Sequence, residues 1–206
     1  MEKKFQMTPF KSLIKKNEVI EFDIIPPRDK HKKTTFIRGS ILDKTLVAKA
    51  MKGVDIVYHF AAMTDLDTVN RNPAAAIEIN IAGTSNILDS CIEEKIQRLI
   101  FSSSVYVYSK TGGIYKSTKQ ACELLIKDYD KMYGLNYTIL QLGSVYGPNA
   151  TKKNLISRLI IESISSGAMK HYGTGNELRQ YIYIKDVVNA AIESLNKKYN
   201  KQTIVS

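Results

Sequence analysis

Arg98-Leu-Ile-Phe-Ser-Ser-Ser104 is apolar through Phe101 and then abruptly polar. A short apolar run of this kind reads as a buried strand, and the polar end of such a strand is where an α/β sheet keeps its ligands. Val54-Asp-Ile-Val-Tyr-His-Phe-Ala-Ala62 upstream and Tyr137-Thr-Ile-Leu-Gln-Leu142 downstream read the same way. Longer amphipathic stretches lie between them. One runs from 43 to 52, capped by Asp43 and stopped by Gly53, a second from Pro73 to about 94, and a third from 115 to 133, ended by Gly134. The third carries Ala121, Leu124, Leu125 and Tyr129 on one side. This alternation predicts β-α units that build a parallel sheet. Val19-Ile-Glu-Phe-Asp-Ile-Ile25, closed by Pro26-Pro27, and Thr35-Phe-Ile-Arg38 add two strands ahead of it. Behind it come a helix over 155–165, a strand over 181–184, a helix from Asp186 to about 198 with Asp186 as its cap, and a final strand before Ser206.

The 206 residues carry 30 Lys+Arg against 20 Asp+Glu, a formal charge of +10, and 44% are hydrophobic. That composition belongs to a globular chain and excludes a disordered one. No apolar run approaches the ~18 residues of a membrane span, and Met1 to Met7 lead into no apolar stretch, so neither a span nor a secretory signal is expected. Cys91 and Cys122 have no metal spacing and read as reduced thiols of a cytoplasmic protein. The lysines are spread along the chain with few interleaved aromatics, which indicates a basic surface and no nucleic-acid site.

Tyr115-Lys-Ser-Thr-Lys119 puts a phenol and an ammonium on one helix face, one turn apart. A tyrosine serves as a base near neutrality only if its pKa falls from about 10 by ~3, which is ~4 kcal/mol, and a neighbouring ammonium in a dry cleft supplies much of that. The same spacing occurs at Tyr106/Lys110 and Tyr181/Lys185, but only Tyr115 begins a long amphipathic helix. The serines at the polar end of the preceding strand offer a hydroxyl to hold a substrate oxygen while the tyrosine moves its proton. A simple turn is the plain alternative for that serine cluster.

At this point the chain resembles the extended short-chain dehydrogenase/reductase family, in its NAD-dependent epimerase/dehydratase branch. The matching stretches, in the family's order, are 54–62, Asn80-Ile-Ala-Gly-Thr84, Phe101-Ser-Ser-Ser104, Tyr115-x-x-x-Lys119, Ser144-Val-Tyr-Gly-Pro148 and Arg179-x-Tyr-Ile-x-Ile-x-Asp186. The resemblance implies a three-layer Rossmann-like α/β fold with a parallel sheet, and a catalytic set of Ser104, Tyr115 and Lys119. It implies an NAD site formed by Asp23, Phe60, Ala61, Ala62 and Asn80 together with Tyr115 and Lys119. Ser144, Asn154 and Arg179 fall where the family grips its nucleotide-sugar, a role in which a guanidinium suits a diphosphate. The implied reaction is UDP-hexose 4-epimerisation through a transient 4-keto sugar. Dehydratase relatives carry an Asp-Glu pair after the catalytic hydroxyl, where this chain has Val105 and Tyr106, so dehydration is disfavoured. Two alternatives stay open: an NAD(P)-dependent reductase of the same family, and a non-catalytic remnant that binds a sugar-nucleotide or a partner. Asp23 favours NAD over NADP, against the nearby Arg28 and Lys30. The helices from Pro73 and Tyr115 resemble those that pair in family dimers, so a homodimer is expected.

The chain departs from the family at its start, where no Gly-x-x-Gly-x-x-Gly is present. Met1 to Glu18 are fewer than the roughly 30 residues of a strand, a Gly-rich turn and a helix. The expectation is therefore a sheet lacking its first strand, NAD held weakly, and a partial C-terminal substrate portion. Residues 1–148 would form the NAD-binding part and 149–206 the substrate part. The connection from Ser104 to Tyr115 is short, with Gly112-Gly113 allowing a tight path. His59 reads as a satisfied core histidine, His31 as solvated and His171 as part of a turn. Asp65 and Asp67 lack further ligands nearby, so no metal site is expected.

Overall fold

The structure, a computed structural model, describes residues 17–27, 32–110, 112–148, 150, 154–170 and 173–206. The expectations for residues 1–16, Arg28, Lys30, His31 and His171 lie outside the described residues. In chain order the strands are β1 (Val19–Asp23), β2 (Thr34–Arg38), β3 (Ile56–His59), β4 (Arg98–Ser104), β5 (Tyr137–Leu142), β6 (Ser144–Tyr146), β7 (Tyr181–Tyr183) and β8 (Gln202–Val205). The helices are α1 (Lys44–Met51), α2 (Leu66–Arg71), α3 (Pro73–Ile77), α4 (Gly83–Glu93), α5 (Gly113–Tyr133), α6 (Leu155–Ser166) and α7 (Ile184–Glu193).

The apolar run of β4 is flanked on both sides. Its pairs are parallel, with β3 from Ile56↔Arg98 to His59↔Phe101 and with β5 from Leu99↔Tyr137 to Ser104↔Leu142. β8 continues the sheet beyond β5, giving the order β3-β4-β5-β8. Strand side chains alternate between faces, and two cores result. Leu99, Phe101 and Ile139 point into a cluster with Val47, Met51, Ile87, Leu88, Cys122 and Ile126, which come from α1, α4 and α5. Ile100, Leu140 and Leu142 face the other way, against Val187 and Ala191 of α7. Helices thus cover both faces, which is the three-layer arrangement expected. Burying a side chain the size of Phe101 or Leu99 stabilises by about 1.5–3 kcal/mol.

Among the described residues the parallel pair β1–β2 (Val19↔Thr34 to Asp23↔Arg38) is a sheet separate from the four-stranded one. β6 and β7 form a third, also parallel, with Ser144 opposite Tyr181. β8 and α7 come from the C-terminal stretch, yet they complete the main sheet and its second core.

Local signals set most element ends. The Asp43 carboxylate caps α1 by accepting from the Leu46 amide at 2.9 Å. Gly134, at φ +71°, takes the left-handed turn that ends α5. Several expectations need correction. The strand read over 54–62 is only Ile56–His59, because the backbone beyond it leaves the ladder and is bound at Met63 by Asn80. The helix read from Pro73 to about 94 is broken by a π-helical turn, Glu78–Ala82, and a separate helix, α2, precedes it. Asp65 caps α2, accepting from the Thr68 amide and hydroxyl. Asp186 is not the cap of its helix: α7 starts at Ile184, so Asp186 lies in the first turn, where its charge meets the positive end of the dipole. On α5, Leu124 is exposed, and the buried face is formed by Tyr115, Thr118, Lys119, Cys122, Glu123 and Ile126.

His59 ends β3 in the interior, as expected of a core histidine. The Thr84 hydroxyl donates to the Asn80 carbonyl at 2.6 Å, so at the 2.9 Å contact with His59 the Nε2–H is the donor. Burial, aided by the Lys119 charge, pushes the imidazole down from 6.5 to about 3. The unfolded chain therefore binds a proton that the folded one refuses between those values, and stability must fall as pH drops through that window. Urea unfolding of wild type and His59→Leu between pH 7.5 and 4 should show the wild type losing stability relative to the variant as pH falls; parallel curves would refute it. Leu99→Ala, which opens a cavity in the central strand, should cost about 2–5 kcal/mol in the same assay.

Candidate active site

The polar end of β4 is built against the first turns of α5. A short 3-10 turn, Val105–Tyr108, follows Ser104, and the chain then reverses at Gly113 (φ +53°), a value that favours glycine. A Cβ there would also lie 3.1 Å from Asn70 Oδ1. The tight path expected of Gly112-Gly113 is thus present. α5 holds this connection through two amphipathic side chains: Lys116 Nζ donates to the Ser109 carbonyl and Gln120 Nε2 to the Val107 carbonyl, both at 2.8 Å.

The reversal brings Tyr115 back to Ser104. Both are buried, the Ser104 side chain is near enough to Tyr115 to act on its acidity, and Ser104 Oγ accepts from the Tyr106 amide at 3.2 Å. The Tyr106 ring lies edge-on to Tyr115 at 6.3 Å, within an apolar pocket that includes Val69, Ala76 and Met63. In this setting burial dominates, and the phenol is pushed up to about 12, with the neighbouring Ser104 hydroxyl opposing. This differs from the acidic tyrosine that the Tyr-Lys spacing predicts. Lys119 is buried one turn along, and its ammonium donates to the Ser102 carbonyl at 2.7 Å and lies 4.6 Å over the Phe101 ring. Burial pulls it down to about 8, against the favourable Glu123 carboxylate. Both groups are thus biased toward their neutral forms.

Asn80 supports this floor from the π-helical turn. Its Oδ1 accepts from the Met63 amide at 2.7 Å, and its Nδ2 donates to the Met63 carbonyl and to Thr118 on α5. A π turn carries an extra residue and frees backbone groups. Here the Asn80 carbonyl receives Thr84 Oγ1 and Cys122 Sγ. The side chain read as lining the cofactor site is therefore occupied in tying the segment after β3 to α5. In that segment Phe60 stacks on Tyr58 at 6.0 Å, Ala61 is exposed and Ala62 half-buried. Asp23 ends β1, half-buried, with its carboxylate accepting from the Ile25 amide.

The residues read as substrate-gripping lie in the C-terminal part. Ser144 begins β6 and pairs with Tyr181, while Arg179 is exposed just ahead of β7. The Asn154 amide is committed to backbone: Oδ1 accepts from the Ser157 amide to cap α6, and Nδ2 donates to the Val145 carbonyl at 2.8 Å. The structure thus groups Ser104, Tyr115 and Lys119 tightly. Sequence reading missed a second buried polar group beside them: Glu123, one turn beyond Lys119, bonded to Ser103 and Gln141. Its signal was present, since residues 115, 119 and 123 repeat at the helical spacing of four that marks one face.

Residues 11–205 match the family model described as NAD dependent epimerase/dehydratase family. The chain is 31% identical over 184 residues to a putative UDP-glucose 4-epimerase of Methanocaldococcus jannaschii, covering 81% of this chain and 60% of that protein. Among solved structures, the UDP-N-acetylglucosamine 4-epimerase from Methanobrevibacter ruminantium M1, in complex with UDP-N-acetylmuramic acid, superposes with a TM-score of 0.86 at 26% identity, over 96% of this chain and 71% of that one. The UDP-glucuronic acid 4-epimerase from Bacillus cereus, in complex with UDP-glucuronic acid and NAD, shares the fold, with a TM-score of 0.85 at 24% identity over 96% and 72%. The chain spans from 27% to 60% of the length of four curated relatives that it matches. With the family model matched over nearly the whole chain, a parallel sheet cored on both faces, and a serine, tyrosine and lysine gathered at its polar end, the chain belongs to the NAD-dependent epimerase/dehydratase family of enzymes.

Proposed function

We propose that this chain interconverts the C4 epimers of a UDP-hexose, with Ser104, Tyr115 and Lys119 as its catalytic residues. The observation that carries the reading is the burial of Ser104, Tyr115 and Lys119 together at the polar end of β4, where Lys119, one helical turn from Tyr115, reaches the Ser102 carbonyl. Ser104 would hold the 4-hydroxyl oxygen of the sugar, and Tyr115 would take and return its proton. For Tyr115 to act as a base near neutrality its pKa must come down from about 12, a change on the order of 7 kcal/mol. The Lys119 ammonium is the group placed to supply it, by moving from the Ser102 carbonyl toward the phenol.

The residues suit the two ribose ends of NAD. Asp23 offers a half-buried carboxylate at a strand end, the acceptor a ribose diol needs, and favours NAD over the 2′-phosphorylated form. Lys119 offers a buried ammonium, and Phe60, Ala61 and Ala62 follow β3. For the pyrophosphate the sequence has no Gly-x-x-Gly-x-x-Gly turn. When bound, NAD supplies the hydride acceptor for sugar C4. Residues 1–148 would serve the cofactor and 149–206 the sugar-nucleotide, with Ser144, Asn154 and Arg179 at the nucleotide. Val105 and Tyr106 stand where a dehydratase needs an acid and a base, and the Tyr106 ring packs on Tyr115, which favours epimerisation. No helix among the described residues is long and apolar enough to cross a membrane. Both cysteines are free and buried, consistent with a reducing cytoplasmic setting.

A homodimer through α3 and α5 would cover apolar side chains that α5 exposes, Leu124 at 62% and Met132 at 66%, together with Ile77 of α3. Light scattering after size exclusion should give twice the chain mass for wild type and the monomer mass for Leu124→Glu; a monomeric wild type would sink the dimer. For the reaction, wild type incubated with NAD and UDP-glucose should form UDP-galactose, resolved by chromatography. Tyr115→Phe should lower that rate by about 10²-fold or more at a stability cost of about 1 kcal/mol. Retained activity in Tyr115→Phe would remove the assigned base. A wild type that consumes NADH or NADPH one-for-one would be a reductase, and one that turns over nothing would not be an epimerase.

A further inference from the structure

A buried carboxylate sits beside the site in a role that catalysis at Tyr115 does not use. Glu123 lies on α5 one turn beyond Lys119 and is 8% exposed. Its Oε1 accepts from Ser103 Oγ at 2.5 Å and from Gln141 Nε2 at 2.9 Å, and its Oε2 accepts from the same nitrogen at 3.2 Å. Gln141, on β5, is 1% exposed, and its Oε1 in turn accepts from the hydroxyl of Tyr108, the last residue of the turn that follows Ser104. One carboxylate therefore joins α5 to the ends of both central strands and, through Gln141, to the turn between β4 and α5.

Placing a carboxylate between a helix and a sheet is costly even when it is hydrogen-bonded, and an apolar side chain of similar size is commonly as stabilising or more so. Packing alone does not call for glutamate here. The bonds it makes have a geometric consequence. Ser103 is the residue before Ser104, and Glu123 is on the helix that carries Tyr115 and Lys119. Oxygen–oxygen and nitrogen–oxygen contacts tolerate only a few tenths of an ångström, so they set the distance between helix and strand more narrowly than apolar contact does.

We propose that Glu123 is a positioning residue which, through Ser103, Gln141 and Tyr108, fixes α5 against the end of β4 and so holds Tyr115 in place beside Ser104. This rests on the reading of Ser104, Tyr115 and Lys119 as the catalytic set. The role is geometric: the acceptor atoms matter, and the negative charge does not.

The test separates the two claims by using one readout that needs no turnover. In protein labelled with 13C at Cζ of tyrosine, the Tyr115 resonance is identified by its loss in Tyr115→Phe and reports the surroundings of its hydroxyl. Glu123→Met, which fills the space without acceptors, should move that resonance away from its wild-type position at neutral pH. Glu123→Gln, which keeps an acceptor for Ser103 and Gln141, should return it. With NAD and UDP-glucose, Glu123→Met should lose on the order of 100-fold in kcat with KM unchanged, the size of effect that misplacing a reacting group produces, and Glu123→Gln should recover it. Should Glu123→Met not fold, Ser103→Ala, which breaks only the arm to β4, should shift the Tyr115 resonance. A folded Glu123→Met, or a Ser103→Ala, with an unmoved resonance overturns the proposal, as does a Glu123→Gln that behaves like Glu123→Met. If the wild type turns over no UDP-hexose, the catalytic reading fails while the resonance still decides the role of Glu123.

Discussion

The polar end of β4 meets α5 in the interior, and the groups buried there must find partners within the protein. Ser102 accepts from Lys119, Ser103 donates to Glu123, and Ser104 lies beside Tyr115. Three successive serines thus engage three residues spaced four apart on one helix. Each contact alone is worth about 1 kcal/mol, but an orphaned buried partner costs more than the bond contributes. The seam is therefore held in one register, and the arrangement of the candidate site follows from that register.

The apolar cores on either side of the sheet make this seam possible. Leu99 and Phe101 anchor β4 toward α4 and α5, while Ile100 faces α7, so the strand cannot shift by one residue without reversing which side chains are buried. With β4 pinned, its last three residues lie where the helix needs polar partners. The π-helical turn extends the same logic to β3. It brings Asn80 into contact with the Met63 backbone and with Thr118, which links the segment after β3 to the helix that carries the tyrosine. The candidate catalytic residues are thus supported from three directions.

Burial also explains why Tyr115 and Lys119 have shifted acidities. A phenol enclosed by Val69, Ala76, Met63 and Tyr106 resists ionisation, and an ammonium held by one carbonyl and one aromatic ring loses hydration. The two shifts work against the charged pair, so the pairing of Tyr115 with Lys119 would depend on movement of the long, flexible lysine side chain. His59, near the same ammonium, responds in the same sense and stays neutral.

The central strands were legible from the sequence because their signal is local. The run from Arg98 to Ser104 is apolar to the residue where the strand turns polar, and 137–142 is bounded just as cleanly. Asp43 and Gly134 announced helix ends because capping and left-handed turns are chemistry of the residue itself. Tyr115 and Lys119 could be singled out by spacing and context, and Ser104 among its two serine neighbours only by the family resemblance. The tertiary structure decided what no local pattern encodes. The π turn at Asn80 depends on where Met63 and Thr118 lie, and α7 starts ahead of Asp186 although an aspartate there has every local mark of a cap. Leu124 faces outward although it shares one side of the helix with Ala121, Leu125 and Tyr129, and the α5 face that meets β4 carries polar partners as well as apolar ones. The sequence by itself determined which residues are buried strands and which residue types carry chemistry; which serine meets which side chain, and what acidity each group then has, was settled only by packing, since hydrogen bonding and desolvation depend on neighbours distant in the chain.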